Sequence, residues 1–307
     1  MIQTVTINPS LDRYYDIDQI ILDGLHRVKE VRDMPGGKGI NMSRVLNELH
    51  VDSCAYGFIG GHTGDELSKL CKSMNTQLIR IANSTRINHK FRDLHDFSIT
   101  EFNESGPEIN EKEFRILEHC LSRDIFEGDI CMLGGSACKG LGDDVYVKLM
   151  ENVRHRGGKV LVSCDMPWIK PAIEKLPDIV KLNIGELSRL AGKEFKDNTE
   201  ILAYMREWIS KGIGLFIVSM GESGALFASS KEAYYVEKID IVCKNDVGAG
   251  DAMLAGICYA LVEHYALREL ATFSIACATA AITNDDISVD SLEYVKKLEA
   301  MAKVHEM

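Results

Sequence analysis

Four groups of residues in this chain have the types and spacing that chemistry needs. The stretch Asn245-Asp246-Val247-Gly248-Ala249-Gly250-Asp251 sets two glycines and an acid ahead of the uncharged run 252–262, AMLAGICYALV. A glycine turn feeding a helix start aims several N–H groups one way and adds a partial positive charge, so Gly248, Ala249 and Gly250 could receive an anion. Asp251 stands where that anion would arrive and could take a proton from a hydroxyl, although Gly-Ala-Gly-Asp also reads as a plain turn with an acidic cap. In Pro35-Gly36-Gly37-Lys38-Gly39-Ile40-Asn41, glycines crowd a second helix start and put a Lys beside a backbone cradle, which suits a phosphate or a polyhydroxy group. Asn183 and Glu186 are close enough in a helical first turn to hold water around one Mg²⁺; an ordinary acidic helix start looks the same. If Thr85-Arg86-Ile87-Asn88-His89-Lys90 is a strand, Arg86, Asn88 and Lys90 share one face, as they also would on a solvated edge.

A helix start should stabilise the Asp251 carboxylate and lower its proton affinity. That is poor for abstracting a hard proton. Phosphoryl transfer is more forgiving, because its loose transition state relies on positioning and charge neutralisation. The arrangement therefore fits a kinase better than a hydrolase or an aldolase. Neither G-x-G-x-x-G nor G-x-x-x-x-G-K-[ST] occurs, which argues against a dinucleotide dehydrogenase and a Walker-type ATPase.

The elements that must hold these residues alternate. Ile2 to Ile7 reads as a buried strand, with Asp12 just beyond its carboxyl end, where open α/β sheets bind ligands. Short strands are expected over 10–35, a helix to about Leu49, then a strand at 54–59 and a helix at 65–74. Extended segments follow at 77–82, 87–91 and 97–102. Helices are expected at 111–122, 143–156, 199–211, 249–264, 267–283 and 290–304. Strands fall between them at 129–133, 159–163, 178–182, 215–219 and 225–229. Such alternation indicates an α/β fold with a mostly parallel central sheet covered by helices on both faces. We expect one domain over 1–307, with extra strands drawn from about 10–35 and 85–105.

Composition sets the outer bounds. The 307 residues suffice for a sizeable core, and 46% apolar with 26% charged residues is ordinary for a globular chain. A net charge of −11 argues against sequence-independent nucleic-acid binding, while leaving room for a local basic cluster that grips a small anion. No apolar run reaches the ~20 residues of a membrane span, and no basic leader precedes residue 5. The nine cysteines show no Cys-x-x-Cys pair, and with no secretory signal they point to a reducing cytoplasm.

Taken together, these motifs resemble the ribokinase-like (PfkB) carbohydrate kinases. Val247-Gly248-Ala249-Gly250-Asp251 is similar to the family's C-terminal signature, and Pro35-Gly36-Gly37-Lys38-Gly39-Ile40-Asn41 to its N-terminal one. Thr4-Val5-Thr6-Ile7-Asn8-Pro9-Ser10-Leu11-Asp12, Gly37-Lys38-Gly39-Ile40-Asn41 and Thr85-Arg86-Ile87-Asn88 resemble the substrate-side motifs of the 1-phosphofructokinase and tagatose-6-phosphate kinase subfamily. The resemblance covers nearly the whole chain in the family's order.

It implies a small β-sheet lid over the sugar, ATP as phosphoryl donor and Mg²⁺ as its partner ion. It further implies that Asp12, Gly37 and Asn41 hold sugar hydroxyls. Lys38 and Arg86 would meet the substrate's phosphate, with Asn88, Lys90 and Arg27 nearby. Asn183 and Glu186 match the family's magnesium element, acting through water. Ser219, Gly221, Lys181 and Val247 fall on the nucleotide side, Gly248, Ala249 and Gly250 form the anion hole, and Asp251 is the base. A homodimer formed through the lid is implied as well.

Asp246 stands where relatives have Thr, and a carboxylate there would repel a triphosphate. Ala137-Cys138-Lys139, Leu182 and Thr283-Asn284-Asp285-Asp286 also depart from the pattern, altering the rim of the site. Two alternatives follow: a kinase of an unphosphorylated sugar or nucleoside, or a sensor of sugar phosphate and nucleotide that kept the fold.

Overall fold

Strands and helices alternate from the first residues of the computed structural model, which describes all of 1–307 except Asp246. The expectation attached to Asp246 therefore lies outside the described residues. The first third runs β1 (Ile2–Thr6), β2 (Ser10–Ile17), β3 (Glu30–Gly36), α1 (Lys38–Glu48), β4 (Ser53–Ile59), α2 (Gly61–Leu70), β5 (Thr76–Arg80), β6 (Arg86–Asp93) and β7 (Ile99–Asn103). The middle third runs α3 (Glu111–Asp124), β8 (Ile130–Gly135), α4 (Val145–His155), β9 (Lys159–Cys164), α5 (Ile169–Glu174), β10 (Ile179–Asn183), α6 (Ile184–Ala191) and α7 (Asn198–Lys211). The last third runs β11 (Leu215–Ser219), β12 (Ala225–Ser229), β13 (Ala233–Val236), α8 (Ala249–Val262), α9 (Leu267–Ile282), α10 (Leu292–Glu299) and β14 (Val304–Glu306).

The main sheet has the order β14-β13-β12-β11-β10-β9-β8-β1-β4-β5. It is parallel from β5 to β11 and antiparallel beyond. Every residue of β1 is buried, as a strand covered on both faces must be. Val5 faces an apolar core shared with α3, α4 and α7, while Ile2 faces another shared with α1, α8 and α9. From β1 the chain first builds outward to β4 and β5, then returns to build the other way from β8. That reversal opens a crevice at the carboxyl ends of β1 and β8, the place where open parallel sheets bind ligands.

A second sheet, β3-β2-β6-β7, covers the crevice. β2 and β6 are parallel, pairing Ser10 with Arg86 and Asp12 with Asn88. β6 and β7 are antiparallel, pairing Asn88 with Asn103 and Lys90 with Glu101. Because side chains alternate, Arg86, Asn88 and Lys90 share one face, while Tyr15, His89, Phe91 and Phe102 make a ladder of ring contacts on the other. Arg92, further along β6, reaches Asp285 in the loop after α9 at 3.1 Å. That loop also pairs Asp286 with Arg44 of α1.

The structure departs from the sequence reading in several places: α2 starts and ends about four residues earlier than expected, and β13 is an added strand. The expected helix at 290–304 is α10, capped by Ser291 and ending at Glu299, after which the chain turns and pairs Val304–Glu306 with β13. That pairing covers a strand edge that would otherwise be open. α5 and α6, at six and eight residues, are too short for a helical period to stand out.

Candidate active site

The helix α8 is apolar on every side and buried, so packing, not surface chemistry, fixes its position. It starts at Gly248, whose φ of 84° lies in the left-handed region and whose missing Cβ would sit 2.4 Å from the Ile287 side chain. Among the described residues no side chain caps the helix. Asp251 N–H turns back to the Gly248 carbonyl at 2.9 Å, so the first-turn N–H groups left for a ligand are those that precede it. The Asp251 carboxylate accepts a hydrogen bond from Asn41 Nδ2 at 2.8 Å. Asn41 lies one turn into α1, which begins after Gly37 and packs against α8.

Burial acts most strongly on Asp251 and raises its pKa. The Asn41 amide and the charges of Lys38, Lys181 and Lys90 pull the other way without overcoming it. The lowering expected from a helix start is therefore reversed, although part of the residue stays open to the cleft. The expectation rested on the helix terminus alone, and loss of water around the carboxylate outweighs it.

Lys38 crosses the crevice to the ends of β9 and β10. Its ammonium donates to Asp165 Oδ1 at 3.0 Å, Glu186 Oε1 at 3.2 Å and the Ser163 carbonyl at 3.2 Å. Burial draws its pKa down, but Glu186, Asp165 and Asp251 together overcome that and leave it raised. Lys181, buried in the middle of β10, has its Nζ 3.1 Å from the position a Cβ on Gly250 would take. Desolvation pushes its pKa down to about 8, offset in part by Glu186. Asn183 and Glu186 form a reciprocal capping box at the start of α6, with bonds of 2.7 and 2.8 Å. Asn183 also stands beside Ser219 in the strand register.

The lid supplies the opposite wall. Arg86 donates to the Glu104 carbonyl and the Asn8 carbonyl, each at 3.0 Å. Among the described residues no carboxylate forms an ion pair with it, and its buried Nε has no partner. Desolvation lowers its pKa, with Asp12, Asp165 and Glu104 acting against that. Asn88 Nδ2 donates to Ser10 Oγ and Asp12 Oδ1, and Lys90 Nζ bridges Asp12 at 3.2 Å and Glu101 at 3.0 Å. Gly36 leaves space for Asp12, whose Oδ1 would be 2.2 Å from a Cβ there.

These walls enclose a cavity of about 240 Å³. Of the residues singled out in the sequence, Gly37, Lys38, Asn41, Arg86, Asn88, Lys90, Val247, Gly248 and Asp251 line it. Asp12, Glu186 and Lys181 stand directly behind them, through the contacts just given. Ala249 and Gly250 belong to the same turn as Gly248. Ser219 and Gly221 follow the end of β11 next to Asn183, outside the lining. Arg27 is not brought to the cavity. It is exposed on the segment between β2 and β3, beyond the ends of the lid strands.

The sequence reading did not single out Asn8, Glu101, Asn103, Ser136 or Asp165, all of which line the cavity. Asp165 had a usable signal, since it follows a strand's carboxyl end as Asp12 does.

A glycine turn with an acid in it thus shares a switch-point crevice with an arginine that no described carboxylate pairs, an arrangement suited to phosphoryl transfer. Comparison with known proteins agrees. The model of the pfkB family carbohydrate kinases matches residues 6–291. The chain is 32% identical, over 99% of both chains, to a 1-phosphofructokinase of Bacillus subtilis (strain 168). It superposes with a TM-score of 0.91 on phosphofructokinase-2 of Escherichia coli in complex with fructose-6-phosphate, at 27% identity over 97% of this chain and 98% of that one. A possible 1-phosphofructokinase of Thermotoga maritima gives a TM-score of 0.88 at 28% identity, covering 100% and 99%. This chain belongs to the PfkB family of carbohydrate kinases and is a sugar-phosphate kinase of 1-phosphofructokinase type.

Proposed function

We propose that the chain transfers the γ-phosphoryl group of ATP to a hydroxyl of a ketohexose phosphate, fructose 1-phosphate in the first place and tagatose 6-phosphate in the second, with Asp251 as the base. The observation that carries this reading is Arg86, a half-buried guanidinium in the cleft wall with carbonyl partners but no carboxylate. Such a group calls for an anionic ligand, and its planar fork suits a phosphate ester. Buried, unpartnered atoms gather around the same cavity: Asn8 Oδ1, Asn41 Oδ1 and Asn88 Oδ1. Each can accept a hydrogen bond from a sugar hydroxyl. The 1-phosphofructokinase relative favours the 1-phosphate.

In this mechanism Asn41 aims the Asp251 carboxylate at the acceptor hydroxyl. Asp251 takes the proton as the hydroxyl oxygen bonds to the γ-phosphorus, the bond to the β–γ bridging oxygen breaks, and ADP leaves with that electron pair. The N–H groups of Gly248, Ala249 and Gly250, together with Lys181, stabilise charge on the transferring oxygens. Asn183 and Glu186, with Asp165 across Lys38, offer the hard oxygens that Mg²⁺ prefers and would hold it through water. Bound with the nucleotide, the ion would neutralise phosphate charge.

The test is ADP release with Mg-ATP over fructose 1-phosphate, tagatose 6-phosphate, fructose 6-phosphate, fructose, ribose and adenosine. We expect the ketohexose phosphates to lead, and Asp251→Asn to lose turnover while keeping its fold. Binding without ADP release from any of them would favour a sensor.

We infer, further, a homodimer through the lid. Val31 and Phe102, exposed to 53% and 61%, lie on its outer face beside the stacked rings of Tyr15 and Phe91.

A further inference from the structure

We propose that Glu101 sets the direction in which a sugar phosphate enters the cleft, by denying the Lys90 end of the lid to a phosphate group. The proposal rests on the sugar-phosphate reading above.

The inner face of the lid is a ladder of three rungs. Arg86 lies at the hinge end, bonded to the carbonyls of Asn8 and Glu104. Asn88 and its register partner Asn103 come next, then Lys90 with its partner Glu101. Strand geometry sets the Cα atoms of Arg86 and Lys90 about 13 Å apart. A sugar monophosphate has one anionic end and one end of hydroxyls, and the ladder offers a cation at each extremity. What separates the two ends is their counter-charge. Among the described residues, Arg86 has none in ion-pair contact. The Lys90 ammonium is covered by Asp12 at 3.2 Å and Glu101 at 3.0 Å, which leaves that rung formally negative.

Asp12 and Glu101 do not contribute alike. Asp12 is buried and tied to Ser10 and Asn88. Glu101 keeps 34% of its side chain exposed, lines the cavity, and is braced by Asn103 Nδ2 at 3.2 Å. Its carboxylate is therefore the one an incoming phosphate would meet.

The Lys90 rung is also the reacting end. Of the two lid cations, Lys90 is the one whose charge bears on the Asp251 carboxylate, and both groups line the cavity, while the carboxylates that bear on Arg86 are Asp12, Asp165 and Glu104. A sugar phosphate bound the right way round puts a hydroxyl at Asp251. Bound in reverse, it puts its phosphate there, and no transfer follows.

Non-productive binding lowers kcat and KM by one factor and leaves kcat/KM unchanged, because the productive route from free enzyme and substrate is untouched. Glu101→Gln should therefore show at least a fivefold fall in both constants with fructose 1-phosphate, at constant kcat/KM. The dissociation constant of fructose 1-phosphate, measured calorimetrically without nucleotide, should tighten in the same variant. Glu101→Asp, which keeps the charge, should return both constants toward wild type, something a purely structural role would not require. An unchanged kcat in Glu101→Gln, or a fall in kcat/KM at constant KM, overturns the proposal while leaving the kinase reading intact. A wild-type protein that turns over no ketohexose phosphate overturns both.

Discussion

In the proposed mechanism the carboxylate of Asp251 must be ionised to accept a proton, and its burial raises the pH at which that happens. As pH falls, the group protonates earlier than an ordinary aspartate would. The acid limb of kcat/KM should accordingly lie above the usual carboxylate range, and a pH–rate profile measures it directly. Asp251→Asn should lower kcat by about 100-fold or more, as expected for loss of a general base. Lys181 titrates on the other side. With its pKa pushed down to about 8, the free protein loses this charge as pH rises through that value, and a phosphate ligand loses a partner. KM for ATP should rise above pH 8, and Lys181→Arg, charged throughout, should flatten the rise. Glycines, acids and bases in short motifs were legible in the sequence because each motif is a local chemical device. Asp165 follows a strand end, but its partner Lys38 lies 127 residues before it. Glu101 has near partners in Lys90 and Asn103, and its meaning comes only from the cavity that the lid strands close.

Among the elements, the turn into α8 depends most on a single residue type. Gly248 has a left-handed backbone and lies against Ile287, so Gly248→Ala combines backbone strain with displacement of a buried side chain. The strain alone costs about 1–2 kcal/mol. A lower Tm and a lower kcat should appear together, and a fully active, fully stable variant would refute the assigned geometry. Long elements could be read from sequence, α3 by its helical period and α8 by the length of its uncharged run. The short ones could not. α6 is announced only by its capping box, and Val304–Glu306 is a strand only because β13 lies beside it. Whether a segment so short pairs or coils is decided by its neighbours in space.

For the molecule as a whole, the alternation of strands and helices predicted the sheet, and the glycine turns predicted which edge binds. What they could not supply was the fold of the lid against that edge, because β2 and β6 lie some 70 residues apart in the chain and meet as parallel neighbours. The lid's outer ring ladder should be covered by a second copy. Light scattering should find a dimer, and Phe102→Glu should shift it toward monomer. The site of Arg86 has a final consequence. This guanidinium sits on a lid strand, and the loop contacted by Arg92 farther along that strand abuts Gly248. On the proposed reading, a phosphorylated sugar carries its own handle, a group that would tie this strand of the cover to the reacting group beneath it. Fructose, lacking the handle, would leave that tie unmade. Its handicap should then persist at saturation, as a low kcat and not merely a high KM, and Arg86→Ala should bring the sugar phosphate down toward the same level.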